Sequence, residues 1–178
     1  MTDFPQQIVT PISIHSFSPE AVGSCDMRGL AVTANPASAA WAAANQAIYI
    51  PIEIRSPYLL ALFFWGNGST ASSNCDVGLY TVGGSRIAST GSTAQSGASA
   101  VQYAAPSAGT ILVSPGQYYL GFACSGTTNR VFQNTSVTAV PGRMMGLLQE
   151  SSALPLPATM TPVAFASTGY PLTGIARR

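Results

Sequence analysis

The most hydrophobic stretch of the chain, residues 45–68 (NQAIYIPIEIRSPYLLALFFWGNG), places the tightest limit on the fold. Isoleucine occupies every second position from Ile48 to Ile54, and this period of two places the isoleucines on one face of a strand. A second apolar segment, from Tyr58 to Trp65, predicts another strand. The stretch therefore predicts the core of a β-protein.

The alternative for this stretch is a membrane-spanning helix, since it just reaches the required length. Glu53 and Arg55 would then lie near the centre of the bilayer, where each charged side chain raises the free energy of insertion by roughly 2.5–3.5 kcal/mol. Pro51 and Pro57 would interrupt the helix, because proline removes a hydrogen bond and clashes with the preceding turn. We therefore expect no membrane anchor here.

Charged residues make up only 7% of the chain, against roughly 25% in an average protein. The chain has no lysine, and its formal net charge is +1. Nucleic-acid binders normally carry a basic stripe, so the composition argues against that class. Because charges are so few, electrostatic repulsion between copies is weak, which favours a subunit that packs against copies of itself or against a larger assembly. The alternative is an ordinary soluble β-protein rich in serine and threonine.

Short strands are predicted at close spacing after residue 68. Gly83–Gly84 and Gly66–Gly68 each predict a hairpin turn. Later strands are predicted at 101–105, 110–113, 118–124, 130–132 and 137–140. This pattern predicts an all-β protein, and we expect an antiparallel β-sandwich of jelly-roll type.

Proline-rich ends flank the predicted core. Residues 1–35 predict an extended N-terminal arm, 36–140 the β-sandwich core, and 141–178 a C-terminal extension that could include one last strand at 163–166. The stretch 35–47 (NPASAAWAAANQA) is the one plausible helix, because alanine favours helices and Asn35 could cap it.

The three cysteines, Cys25, Cys75 and Cys124, are widely spaced and form no CxxC pair. This spacing predicts neither a disulfide framework nor a zinc site. We expect Cys75 and Cys124 to be small buried apolar residues in strands. The N-terminal sequence lacks the pattern of a signal peptide, so we expect synthesis in a reducing cytoplasm.

Candidate catalytic residues are few. His15 is the only histidine, and nothing around it predicts a nucleophile with an orienting acid. Glu53 and Asp76 are the one acidic pair on neighbouring predicted strands, so a glycan hydrolase would have to use them. Since Glu53 can pair with Arg55 instead, we expect no enzyme. We also expect no cofactor and no metal, with calcium at Asp76 as the alternative.

Tyrosines are the remaining candidates for ligand binding. We expect Tyr49, Tyr80, Tyr103 and Tyr119 on outward faces or near strand ends, where a ring could stack on a sugar. Packing in the core or at an interface is the alternative for all four. If the protein binds a glycan, Tyr80 and Tyr103 are the expected ligand-binding residues.

A series of short motifs runs through residues 40–125. They are Asn45, Ile48–Pro51, Asn67–Gly68, Asp76–Tyr80, Gly83–Gly84, Ser89–Thr93 and Pro115–Leu120. In this pattern the chain resembles small β-sandwich surface proteins of tailed bacteriophages. The resemblance implies a subunit of the capsid or tail surface, commonly a homotrimer. It transfers no functional residue, because such proteins act through surfaces.

Composition and resemblance together predict a virion structural protein that acts by protein–protein binding. A capsid decoration (cement) protein or a short surface fibre or knob is the expected type. Its expected partners are copies of itself and other virion proteins such as the major capsid protein. We expect it on the virion surface after assembly in the host cytoplasm. The alternative is a carbohydrate-binding receptor module at the tail tip, with a host surface glycan as its ligand.

Overall fold

The computed structural model describes residues 21–23, 37–151 and 153–177 of the chain. Strands account for 49% and helix for 4%, so the protein is all-β, as predicted. The elements are β1 (Ala21–Gly23), β2 (Ala37–Ala40), β3 (Ala47–Ile54), β4 (Tyr58–Leu60), β5 (Leu62–Gly66), β6 (Asn74–Thr81), β7 (Arg86–Ser89), β8 (Thr93–Ala94), β9 (Val101–Ala104), β10 (Ile111–Val113), β11 (Gly116–Cys124), β12 (Arg130–Asn134), α1 (Ala139–Met144), β13 (Leu148–Glu150), β14 (Val163–Ala164), β15 (Tyr170–Pro171) and β16 (Thr173–Ala176).

The described strands form antiparallel sheets. The largest has the order β14-β13-β3-β11-β6-β7, with β8 paired to β6 as well. A second sheet has the order β1-β16-β5-β9, and two smaller sheets are β10-β4 and β15-β12-β2. Strand β11 lies between β3 and β6, and its nine residues give the largest sheet its centre.

The main core lies between the largest sheet and the sheet that contains β5. The isoleucines of β3 face into it, as their alternation predicted. From the facing sheet, Trp65 approaches Phe122 of β11 with ring centroids 6.4 Å apart, and the ring of Trp41 also contacts Phe122, at a centroid distance of 5.2 Å. Fully burying one such large apolar side chain stabilises a fold by roughly 1.5–3 kcal/mol.

Residues 153–160, named the C-terminal strap from here on, cross the other face of the largest sheet. Together with side chains of β3, β6 and β11 they form a second buried cluster, which contains Ala47, Tyr49, Tyr80, Ala123, Ala153, Leu156 and Met160. In the predicted C-terminal extension, 141–178, the structure describes residues 141–151 and 153–177. They contribute β13 to β16 to the sheets and cover apolar side chains that water would otherwise contact.

Polar contacts fasten the strap to β6 and β7. The guanidinium group of Arg86 donates a hydrogen bond to the backbone carbonyl of Leu156. The N–H of Leu156 donates in turn to Asp76 at 2.9 Å. Near the end of the strap, the N–H of Met160 donates to the carbonyl of Gly84 at 2.9 Å. These hydrogen bonds fix the proline-rich strap to the sheet, although the strap forms no strand.

Two predicted elements differ in the structure. The stretch 35–47 was expected to be helical, yet Ala37–Ala40 forms β2, paired to β12, and a turn follows; Asn35 lies outside the described residues. Alanine's helix preference is small, and packing overrides it here because Trp41 is buried against Phe122. The strand expected at 137–140 is replaced by the short helix α1.

Of the two predicted turns, one is confirmed. Gly83 and Gly84 join β6 to β7, and the positive φ of Gly84 (89°) explains the glycine. Gly66–Gly68 is not a hairpin turn, because β5 pairs with β9 and β16 rather than with β6. Asn67 is instead fully buried and forms an isolated bridge with Val131 of β12.

Cys75 and Cys124 are joined by a disulfide, which corrects our expectation of two free thiols. They are directly opposite each other on β6 and β11, with Cα atoms 4.2 Å apart, and both are fully buried. The sequence could not predict the pair, because the register of two strands 49 residues apart decides it.

Candidate binding surface

Only one of the two tyrosines expected to bind a ligand is exposed. Tyr80 and Tyr49 are fully buried, whereas Tyr103 has 59% of its surface exposed and Tyr119 is partly buried. Tyr80 was expected on an outward face, but the C-terminal strap covers the face of β6 on which it lies. Tyr103 on β9 is therefore the sequence-predicted ligand residue that the structure leaves accessible.

The buried tyrosines form a structural contact. Their rings meet edge to face with centroids 5.3 Å apart. The hydroxyl group of Tyr80 donates to the carbonyl of Pro157 in the strap (2.7 Å), and that of Tyr49 donates to Glu150 (2.7 Å). Burial raises the pKa of both phenols well above the usual value, since an ionised phenolate would be poorly solvated there.

The acidic pair considered for glycan hydrolysis does not share a cleft. Glu53 lies opposite Gln117 on β11, whereas Asp76 lies opposite Ala123, six positions further along the same strand. At about 3.4 Å per residue, the two carboxyl groups are separated by roughly 20 Å, against about 5–10 Å in glycosidases. The two strands are also not neighbours, since β11 lies between them.

Each of these acids has a structural role instead. Exposed Glu53 forms an ion pair with Arg55 (3.1 Å), as expected from their shared face. Asp76 is fully buried and accepts hydrogen bonds from Leu156 N–H (2.9 Å) and the Thr90 hydroxyl group (3.0 Å). Burial raises the pKa of the Asp76 carboxyl, and these hydrogen bonds partly oppose the shift.

Metal-binding and catalytic candidates find little further support. Among the described residues, no cluster of three histidine, cysteine, aspartate or glutamate side chains is placed to hold a metal ion. Asp76, which we considered as a calcium ligand, is fully buried, and each of its carboxyl oxygens accepts a hydrogen bond from a protein donor. His15 lies outside the described residues.

Exposed or half-buried apolar side chains occur on the strands β4, β5, β9 and β10. We name Leu59, Phe64, Val101, Tyr103 and Leu112 the apolar strip. Leu59 lies directly opposite Leu112, which is 72% exposed. Phe64 lies directly opposite Tyr103, with ring centroids 6.1 Å apart. Single exposed apolar residues are normal, whereas each of these cross-strand pairs brings two apolar side chains together at the surface, as at many interaction sites.

The apolar strip continues past Val101. Val101 lies opposite Gly66 on β5. A Cβ atom on Gly66 would be 3.0 Å from the side chain of Phe132, so the glycine leaves room for this half-buried ring beside the strip. An aromatic side chain from β12 therefore extends the surface of β5 and β9.

A buried polar network supports β9 from the inner side. The amide nitrogen of Asn67 donates to the side-chain oxygen of Gln102 (2.8 Å) and to the carbonyl of Ser96 (2.7 Å). Its oxygen accepts hydrogen bonds from the Trp65 indole (2.9 Å) and from Gln95 (3.0 Å). Fully satisfied buried networks rigidify the segments that they join. The strand that carries Val101 and Tyr103 is thus fixed to β5 before any partner binds.

The strip also lies in a part of the chain without charge. Between Arg86 and Arg130 the sequence contains no lysine, arginine, histidine, aspartate or glutamate. Most of the strip falls within this interval, and interface cores are depleted of charge in the same way. This gap is the sequence signal that could have identified Leu112, which our sequence reasoning missed.

No protein-family model, curated protein or solved structure matches this chain. Within the described residues, no helix is long and apolar enough to cross a bilayer.

Proposed function

We propose that this chain is a structural protein of a bacteriophage virion that acts by binding other proteins through the apolar strip. The proposed subunit is a β-sandwich of jelly-roll type, which serves as a capsid decoration protein or a short surface fibre or knob. The observation that carries the proposal is the strip itself: two apolar cross-strand pairs at the surface, with Val101, Tyr103 and Leu112 in the interval between Arg86 and Arg130 that has no charged residue. Its proposed partners are further copies and other virion proteins, such as the major capsid protein.

Two further features support a particle-bound role. The low charge of the chain limits repulsion between closely packed copies. The buried disulfide suits a protein that works outside the cell, since disulfides persist in oxidising surroundings. In a virion assembled in the host cytoplasm, this bond would form after release. Among the alternatives considered, the hydrolase lacks a suitable acidic pair at Glu53 and Asp76.

Incorporation into particles tests this proposal. Phage carrying Leu112→Arg should produce particles with at least about tenfold less of this protein, because a charge would be buried without a partner at the contact. Met144→Arg is the matched control, since Met144 on α1 is even more exposed (84%) and lies outside the strip. Quantitative mass spectrometry of purified particles gives the copy number. Equal incorporation of both variants would reject the strip as the attachment surface.

The position on the particle separates the proposed types. Immunogold electron microscopy with an antibody against this chain should label the head in many places if the protein decorates the capsid. Label at the tail tip only would favour a receptor-binding knob. Particles without label would reject a virion role.

Glycan binding at a tail tip is the second candidate, and the exposed ring of Tyr103 beside Phe64 favours it. Tyr103→Ala and Phe64→Ala should then each weaken binding of the host surface polysaccharide by at least about tenfold. Tyr118→Phe, which changes a tyrosine outside the strip, is the control. Absence of saturable binding by the unaltered protein would reject this candidate.

A further inference from the structure

Within the part of the chain that the structure describes, one backbone edge of β9 is unpaired. Among the described strands, β9 pairs with β5 on one side and has no strand on its other side. Gly66 on β5 donates its N–H to Leu172 at 3.1 Å, on the side of the sheet where β16 lies. The carbonyl of Phe64 accepts the hydroxyl group of Thr173 on that same side. Gly66 and Phe64 thus direct their backbone groups away from β9.

This orientation determines where the groups of β9 point. Val101 lies opposite Gly66 and Tyr103 lies opposite Phe64. In an antiparallel sheet, residues of such non-hydrogen-bonded pairs turn their N–H and C=O groups away from each other. Val101 and Tyr103 therefore present two donors and two acceptors to the free edge of the sheet. Their side chains, 56% and 59% exposed, stand on the outward face beside that edge.

Sheet edges of soluble proteins are normally protected against pairing with other chains. Lysine or another charged side chain, an inward-pointing charge or a covering loop prevents such contact. β9 has none of the charged groups, because no charged residue occurs between Arg86 and Arg130. The sequence of β9, Val-Gln-Tyr-Ala, contains no proline that would remove a donor.

We propose that β9 pairs antiparallel with β9 of a second copy of this chain about a twofold axis at Gln102. Val101 then lies opposite Tyr103 of the second copy, and Tyr103 opposite Val101 of the second copy. Each pair exchanges two backbone hydrogen bonds, so the contact has four. The pairing joins two four-stranded sheets into one of eight strands. It also places each tyrosine ring beside a β-branched side chain, a favourable cross-strand pair.

The absence of charge on β9 favours a partner strand that is itself uncharged, and a second copy of β9 is such a strand. A partner strand with a charged side chain at this edge would place that charge against Val101 and Tyr103, and β9 itself offers no counter-charge. A second β9 has no charged side chain, so it avoids this cost. A twofold contact also needs a surface that is complementary to itself, and two antiparallel copies of one strand provide it. The hydrogen bonds from Asn67 and Ser96 to Gln102 keep the side chain at the axis turned inward, away from the second copy.

This inference deepens the proposed function, because it uses part of the same strip and names one partner. It also departs from the homotrimer that the resemblance implies, since a twofold contact closes with two copies. The two proposals can fail separately. Particle incorporation tests the virion role, whereas the mass of the free protein tests the pairing of β9.

The mass of the purified full-length chain tests the pairing, measured by native mass spectrometry and light scattering over a range of concentrations. We expect twice the 18.3 kDa of one chain. Tyr103→Pro removes an N–H that points to the free edge and leaves the bonds to β5 intact, so it should raise the dissociation constant at least about tenfold. Tyr103→Ala keeps that N–H and should have a smaller effect. The backbone amides of residues 101 and 103 should exchange hydrogen more slowly in the dimer than after dilution.

Val101→Arg provides a second variant that leaves the backbone unchanged, and it should also give monomers. Val163→Arg on β14 is the control, because Val163 is as exposed as Tyr103 (59%) but lies at an edge of the other large sheet. Thermal unfolding verifies that each variant is folded. A monomer at all concentrations, a trimer, or a dimer unchanged by both Tyr103→Pro and Val101→Arg would overturn the inference.

Discussion

Tyr49 donates a hydrogen bond of 2.7 Å from its buried hydroxyl group to the carboxylate of Glu150, 101 residues further along the chain. The same carboxylate accepts the N–H (3.0 Å) and the hydroxyl group (2.8 Å) of Thr161. Glu150 thus connects the centre of the largest sheet to the segment that directly follows the C-terminal strap. The strap and the sheet should therefore unfold together.

Removal of the Tyr49 hydroxyl group tests this connection. Tyr49→Phe should lower the free energy of unfolding by about 1–3 kcal/mol, because a hydrogen bond to a charged group is lost at a buried site. Urea titration measures the change. Tyr118→Phe is the control, since that hydroxyl group donates to Ser114 at an exposed site (2.7 Å) and should contribute under about 1 kcal/mol. Equal losses in the two variants would contradict a special role for the Tyr49–Glu150 bond.

The strands that were predicted from the sequence have local signals. The isoleucine alternation of β3 and the glycine pair after β6 both act within ten residues, so they could be interpreted without the fold. The strap, the disulfide and the burial of Tyr80 could not be predicted. Each depends on segments that lie far apart in sequence, such as Tyr80 and Pro157, and no local pattern encodes their register.

Gly121 on β11 provides the space for the two buried tyrosine rings. A Cβ atom there would lie 2.9 Å from the ring of Tyr49 and 3.1 Å from that of Tyr80. Gly121→Ala should therefore destabilise the protein by about 1–3 kcal/mol through overpacking. Gly83→Ala is the control, because the added methyl group would meet only the Thr81 hydroxyl group, at 3.7 Å. Thermal and urea unfolding of both variants provide the comparison, and a Gly121→Ala protein as stable as Gly83→Ala would contradict this packing.

We expect the Asp76 carboxyl to make the stability of the folded protein depend on pH in the acidic range. Burial raises the pKa of its carboxyl in the folded protein above the value of 3.8 for an unperturbed group. The folded state therefore holds the proton more strongly than the unfolded state. The contribution of this proton to stability is complete below pH 3.8 and is lost as pH rises through the raised pKa.

Comparison with Asp76→Asn isolates this effect. The neutral amide keeps an acceptor for the N–H of Leu156 but cannot titrate. The difference in unfolding free energy, unaltered protein minus variant, should increase as pH falls from 7 towards 3. A difference that stays constant or decreases over this range would contradict the raised pKa. Asp76→Ala should be destabilised at every pH, because it leaves the buried N–H of Leu156 without a partner.

The disulfide between Cys75 and Cys124 should be a major source of stability. It closes a loop of 49 residues, and restricting such a loop in the unfolded chain is worth about 4 kcal/mol in the chain-entropy description. A Cys75→Ala/Cys124→Ala variant should therefore unfold at a clearly lower urea concentration, and Cys25→Ala is the control. Because both sulfurs are fully buried, reductant should act slowly on the folded protein and quickly in denaturant. Alkylation in denaturant should label one cysteine without reductant and all three with it; three labels without reductant would show that the bond had not formed.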